Sequence, residues 1–129
     1  MRISCASATD VGLRRSTNED CVSVRPDLRL FVVADGMGGH AAVEGIVAFV
    51  EATETLGPDQ TWPVPFDPEQ SVNMNRLRAG FRTGNQRVAA QIASSRELRG
   101  MATTAVAVLI DGGTGTVGHV GDSRAYRLR

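Results

Sequence analysis

Three short clusters combine carboxylates with turn-forming residues at the ends of apolar runs. They are R-S-T-N-E-D at residues 15–20, V-A-D-G-M-G-G-H at residues 33–40 and H-V-G-D-S-R at residues 119–124. Carboxylates grouped in loops are hard oxygen donors of the kind that suit Mg²⁺ or Mn²⁺. An arginine placed with them offers a planar fork for phosphate. Metal plus arginine points to phosphoryl chemistry. Asp35 follows a buried-looking strand and is placed to bridge two cations, while Gly36 behind it lets a backbone carbonyl reach one of them. Glu19 and Asp20 stand at the mouth of a preceding strand and converge with Asp35 if the two strands are neighbours. Paired cations suit in-line displacement at phosphorus, because they orient a water, lower its pKa and neutralise the phosphoryl oxygens. Arg15, four residues before Glu19, is placed to hold the phosphate from the other side.

Plainer readings stand beside these. N-E-D alone is a polar turn, D-G alone a β-turn, and G-D-S-R a tight turn with a capping aspartate. The ordered recurrence of all three at strand ends favours the functional reading. His40 is either a general acid for a leaving alkoxide or a surface residue at a helix N-terminus. His119 lies within a strand and reads as a packed core or edge histidine. Ser16, Thr17 and Ser123 have no histidine base at readable spacing, which leaves a Ser/His/Asp nucleophile without support. Residues 36–39 form a glycine-rich bend, but neither G-x-x-x-x-G-K-[ST] nor G-x-G-x-x-G is present.

A chain of 129 residues is long enough for one domain with a real core, and 42% hydrophobic residues favour a globular fold over disorder. The net charge of zero argues against a nucleic-acid partner. The charge is unevenly spread: residues 1–65 carry 5 Arg against 9 Asp and Glu, residues 66–129 carry 9 Arg against 5. The acidic half holds two of the three clusters, as a cation site requires. All 14 basic residues are arginine, which excludes a catalytic, Schiff-base or P-loop lysine. Cys5 and Cys21 form no C-x-x-C pair and read as buried, reduced thiols of a cytoplasmic protein. No signal peptide is evident, and the apolar runs are too short to span a bilayer, so no membrane partner is expected.

The elements that must position the clusters follow from periodicity. Strands are expected at residues 3–9, 21–24 and 28–34, the last two joined by a Pro26-Asp27 turn as a hairpin. The near-continuous apolar run at residues 28–34 suggests cover on both faces. A helix over residues 41–56 carries the stripe Val43, Ile46, Val47 and Val50 and is stopped by Gly57-Pro58. Residues 57–68 form an irregular connection packed by Trp62 and Phe66. A second helix covers residues 68–94, in which Gly80 and Gly84 invite close approach of a neighbour. Strands at residues 103–110, 116–120 and 124–128 complete a meander around Asp111-Gly112-Gly113. Strands, two helices, then strands is an α+β order in a single domain over residues 1–129.

Four ordered stretches resemble the metal-dependent type 2C protein serine/threonine phosphatases in their bacterial form. They are T-D-V-G-L-R-R-S-T-N-E-D at residues 9–20, L-F-V-V-A-D-G-M-G-G-H-A-A at residues 30–42, G-M-A-T-T-A-V at residues 100–106 and H-V-G-D-S-R-A-Y-R at residues 119–127. The resemblance implies an α-β-β-α sandwich with two Mn²⁺ or Mg²⁺ ions at one end, hydrolysing phosphoserine and phosphothreonine with a metal-activated water. It implies Asp35 bridging both metals, the Gly36 carbonyl on one, Glu19 on the metal side, Asp20 holding coordinated water and Asp122 in a further, weaker site. It also implies Arg15 on the substrate phosphate and His40 as proton donor. Its implied partners are phosphorylated proteins, including Ser/Thr kinases and their targets. The sequence departs from the pattern at Val43, where glycine is usual, with Gly45 following, and at Ala102, where G-T-T is usual. Two later aspartates of the pattern, one in a T-D-G motif, have no counterpart, so the sandwich is expected to be incomplete at the C-terminus. The alternative is a truncated or degenerate non-catalytic module that binds a cation or a partner.

Overall fold

The expected hairpin forms. Strands β1 (Asp20–Arg25) and β2 (Leu30–Asp35) pair antiparallel, with Arg25 opposite Leu30 at the turn and Asp20 opposite Asp35 at the open end. These strands belong to a computed structural model that describes all 129 residues. Strands β3 (Ala105–Asp111) and β4 (Thr114–Val120) make a second hairpin through the Gly112-Gly113 turn. The hairpins join through β2 and β3 into one antiparallel sheet in the order β1-β2-β3-β4.

Alternation decides which face each residue takes. Leu30, Val32 and Ala34 of β2 and Ala105, Ala107 and Leu109 of β3 form one buried core with Val43, Ile46 and Val50 of α1 (Gly39–Ala52) and Leu77 of α2 (Val72–Ser94). Both helices therefore cover the same face. The other face of β2 carries Phe31, which is half-buried, Val33, which is 43% exposed, and Asp35. Cover on both faces of β2, expected from its apolar run, is thus not what the structure shows. The architecture is α+β, with one helical layer and one sheet of the α-β-β-α arrangement.

Close helix packing has a direct cause. A Cβ on Gly45 would lie 2.5 Å from the Gly84 Cα, and one on Gly84 would lie 2.7 Å from the Ala42 carbonyl oxygen. The glycine displaced to position 45 is therefore where α1 and α2 touch main chain to main chain, and Val43 fills the core instead.

Helix α1 ends at Ala52 rather than near residue 56, and Arg76 of α2 binds the carbonyls of the turn that follows it. The Arg76 guanidinium donates to the carbonyls of Thr53 (3.0 and 2.8 Å), Glu54 (3.0 Å) and Leu56 (2.7 Å). Trp62 and Phe66 pack at 5.0 Å as expected, and Arg76 also lies over the Trp62 ring. Helix α2 starts at Val72 rather than residue 68, since the Ser71 hydroxyl accepts from the Met74 N–H at 3.1 Å and fixes the N-cap there.

Two expected strands do not form. Residues 3–9 have no regular structure; residues 6–10 line a groove over the outer face with Val22, Phe31 and Val33 instead of pairing with the β1 edge. Residues 124–128 likewise do not extend the sheet beyond β4; residues 125–127 line a groove with Val108, Ile110 and Val117, and Leu128 is fully exposed. Cys5 is exposed, contrary to the buried thiol expected, while Cys21 is half-buried; neither is in a disulfide. No helix is long and apolar enough to cross a membrane.

Candidate metal centre

The register of the first hairpin builds the site. Because Asp20 is the cross-strand partner of Asp35, both carboxylates leave the sheet on the same outer face, at the end away from the Pro26-Asp27 turn. They come close enough to share a hydrogen bond. That contact, then burial and the Asp35 charge, push the Asp20 carboxyl above the ordinary carboxylate range. The positive charge of Arg15 pulls it down and the negative charge of Glu19 adds to the rise. Arg15 itself is exposed in the loop before β1.

Neighbouring loops fix this sheet end. The Asn18 carboxamide accepts from the Asp20 N–H at 3.0 Å and donates to the Thr9 hydroxyl at 2.8 Å, pinning the loop that carries Glu19. After β2 the chain turns sharply at Gly36, with φ of 132°. A Cβ there would lie 2.5 Å from the Ala102 carbonyl oxygen, so only glycine fits the G-M-A-T-T segment beneath it. The Gly38 N–H donates to that Ala102 carbonyl at 3.3 Å, and the Thr104 N–H donates to the Asp35 carbonyl at 2.9 Å.

His40 takes the surface position at the helix N-terminus. It is exposed on the first turn of α1, and its Nδ1 lies 3.5 Å from the Cys21 Sγ, next to Asp20. Gly39 makes this possible, since a side chain there would press on Cys21 and Ala34. His119 is exposed on the edge strand β4. Asp122 is exposed in the turn after β4, at the same sheet end but outside the Asp20–Asp35 pair. Convergence is therefore partial. Nowhere are three or more His, Cys, Asp or Glu side chains gathered tightly enough to hold a metal ion by themselves.

The donor set nevertheless fits a hard cation. Mg²⁺-type ions are commonly held by one or two carboxylates and keep several waters. Two carboxylates that crowd each other are relieved by a cation between them. A cavity of about 250 Å³ at the opposite end of the sheet offers no such set: its Arg29 pairs with Asp111, and its Arg76 is engaged with main-chain carbonyls.

Sequence reasoning passed over Asn18, Cys21 and Thr104. Asn18 sits within the T-N-E-D motif, and Thr104 within G-M-A-T-T, so position inside a cluster was the available signal. Cys21 and His40 are 19 residues apart, with no spacing rule to join them.

Comparisons with known proteins bear on the fold and the family. No family model matches the chain. It is 40% identical over 124 residues to the serine/threonine protein phosphatase PstP of Mycobacterium tuberculosis, covering 96% of this chain and 22% of that protein. It is 33% identical over 119 residues to a putative protein phosphatase 2C-type of Streptococcus pyogenes, covering 90% of this chain and 46% of that protein. The catalytic domain of PstP, solved in complex with two manganese ions, superposes with a TM-score of 0.61 at 34% identity, over 88% of this chain and 45% of that one. The chain thus spans less than half the length of these relatives. Over most of its own length it is homologous to the type 2C serine/threonine protein phosphatases.

Proposed function

We propose that these residues form one side of the active site of a metal-dependent protein phosphatase that hydrolyses phosphoserine and phosphothreonine. The observation that carries the reading is the Asp20–Asp35 carboxylate pair, set in register at a sheet end, with Arg15 in the exposed loop that leads into β1. Asp35, Asp20 and the Gly36 carbonyl would hold Mn²⁺ or Mg²⁺, with Glu19 flanking them and Asp122 offering a further, weaker position. When bound, the cations lower the pKa of a water and neutralise the phosphoryl oxygens.

The remaining steps belong to the chain's own side chains. Arg15 presents two parallel N–H groups to the phosphate and orients it over the pair. Water adds to phosphorus as the bond to the serine or threonine oxygen breaks. His40 gives its proton to the leaving alkoxide; with Nδ1 engaged by Cys21, Nε2 is the atom free to do so. The substrates are phosphorylated proteins, among them Ser/Thr kinases and their targets. Two unpaired thiols suit a reducing compartment such as the cytoplasm.

The test is hydrolysis of a phosphothreonine peptide by the purified chain, with Mn²⁺ or with EDTA, in wild type and Asp35→Asn. Turnover that needs both Mn²⁺ and Asp35 supports the reading. Turnover that survives EDTA or the substitution overturns it. A folded chain with no turnover in Mn²⁺ assigns these residues to a non-catalytic cation-binding module.

A further inference from the structure

We infer that Thr104 is a positioning residue that ties the G-D-S-R turn to the main chain of Asp35, so that two separate motifs of the cation site move as one unit. This rests on the metal-site reading above. The Thr104 hydroxyl accepts from the Asp35 N–H at 3.2 Å and touches the Asp35 carbonyl at 3.3 Å. The same hydroxyl is hydrogen-bonded to the Ser123 hydroxyl, directly after Asp122. The Thr104 N–H adds a third link to the Asp35 carbonyl at 2.9 Å.

Packing reinforces the tie. Gly121 adopts φ of 87°, and a Cβ there would lie 2.7 Å from the Thr104 methyl, so the turn closes directly onto this side chain. The adjacent Thr103 does not share the role: its hydroxyl points back to the Thr104 carbonyl at 2.8 Å. A single half-buried hydroxyl thus spans two segments that lie 69 and 19 residues away in the chain. Groups that orient metal ligands through hydrogen bonds commonly change metal affinity by about 10- to 100-fold when removed.

The experiment compares wild type, Thr104→Val, Thr104→Ser and Ser123→Ala in two readouts. The first is Mn²⁺ affinity, measured by titration of the metal alone. The second needs no metal: amide hydrogen exchange at Asp35 and the ¹⁵N–¹H resonances of residues 121–123. The valine variant keeps the shape and loses the hydroxyl; it should bind Mn²⁺ about 10-fold or more weakly, speed Asp35 exchange and shift the 121–123 resonances. Serine should restore all three. Ser123→Ala cuts the tie from the other end and should also speed Asp35 exchange; it decides the matter if the valine variant does not fold, and unchanged Asp35 exchange in it overturns the inference. Wild-type Mn²⁺ affinity in a folded Thr104→Val chain, or no rescue by serine, overturns the inference. Absence of Mn²⁺ binding in wild type overturns the metal-site reading instead; the tie is then decided by whether Asp35 and residues 121–123 respond together to Thr104→Val.

Discussion

Replacing Asp20 by asparagine should make the metal-free chain more stable while removing its response to Mn²⁺. Two carboxylates are held together at the end of β1 and β2, and the shared hydrogen bond with Asp35 raises the Asp20 pKa. At about 4 Å, two unit charges interact by about 1 kcal/mol in water and about 4 kcal/mol at an effective dielectric of 20. The pair faces solvent, so screening selects the lower figure. Asp20→Asn should therefore gain about 1 kcal/mol in EDTA at neutral pH, roughly 3–5 °C in Tm for a chain of this size. The sign with pH follows from linkage. An acid whose folded pKa lies above its unfolded value binds more protons when folded, so stability falls as pH rises through that window. The penalty is full above the folded pKa and absent below the unfolded one. Urea unfolding in EDTA, across acid to neutral pH and at low and high salt, measures all of this. Mn²⁺ at 100 times its Kd should then stabilise wild type by about 2.7 kcal/mol and the variant by far less. A loss of stability in metal-free Asp20→Asn, or a gain that ignores both salt and pH, would refute the reasoning.

Two further outcomes test the scaffold. Gly45→Ala places a methyl 2.5 Å from the Gly84 Cα, and forcing the helices apart should cost about 1–3 kcal/mol in urea unfolding; Gly57→Ala, with its nearest neighbour at 3.7 Å, should change little. Arg76→Ala strips hydrogen bonds from three carbonyls after α1. At about 1.5–3 kcal/mol for a bond to a charged group and with strong non-additivity, the loss should be about 2–4 kcal/mol, with Mn²⁺ affinity unchanged because Arg76 lies at the other end of the sheet.

The sheet hairpins and both helices were legible because each rests on local signals: alternation, a 3.6-residue stripe, a turn or a cap. Residues 3–9 and 124–128 show where such signals stop. Alternation tells which side chains are apolar, but not whether a strand edge or an open face will receive them. Here neither sheet edge took its segment, and both stay exposed. Arg76 carries no local signal, since its partners lie 20 to 23 residues back in the chain. The Asp20–Asp35 meeting was legible as a condition, namely that their strands be neighbours, and the register meets it residue for residue. Thr104 had no such handle, because a hydroxyl's partners depend on the fold being complete.

The four motifs are not equally anchored, and this orders what the site can tolerate. Asp35 ends β2, an interior strand paired on both sides, and its main chain is clasped again by Thr104. Asp20 ends an edge strand, held by its register with β2 and by Asn18. Arg15 lies in an exposed loop, and Asp122 in an exposed turn that reaches Asp35 through Ser123 and Thr104. Rigidity therefore falls outward from Asp35. On the proposed reading, the ligand meant to meet the cations occupies the stiffest position, whereas the arginine meant to follow a substrate phosphate occupies the loosest. A site arranged the other way round would hold phosphate firmly and metal poorly, and catalysis by two cations depends on the metal geometry being set before the substrate arrives.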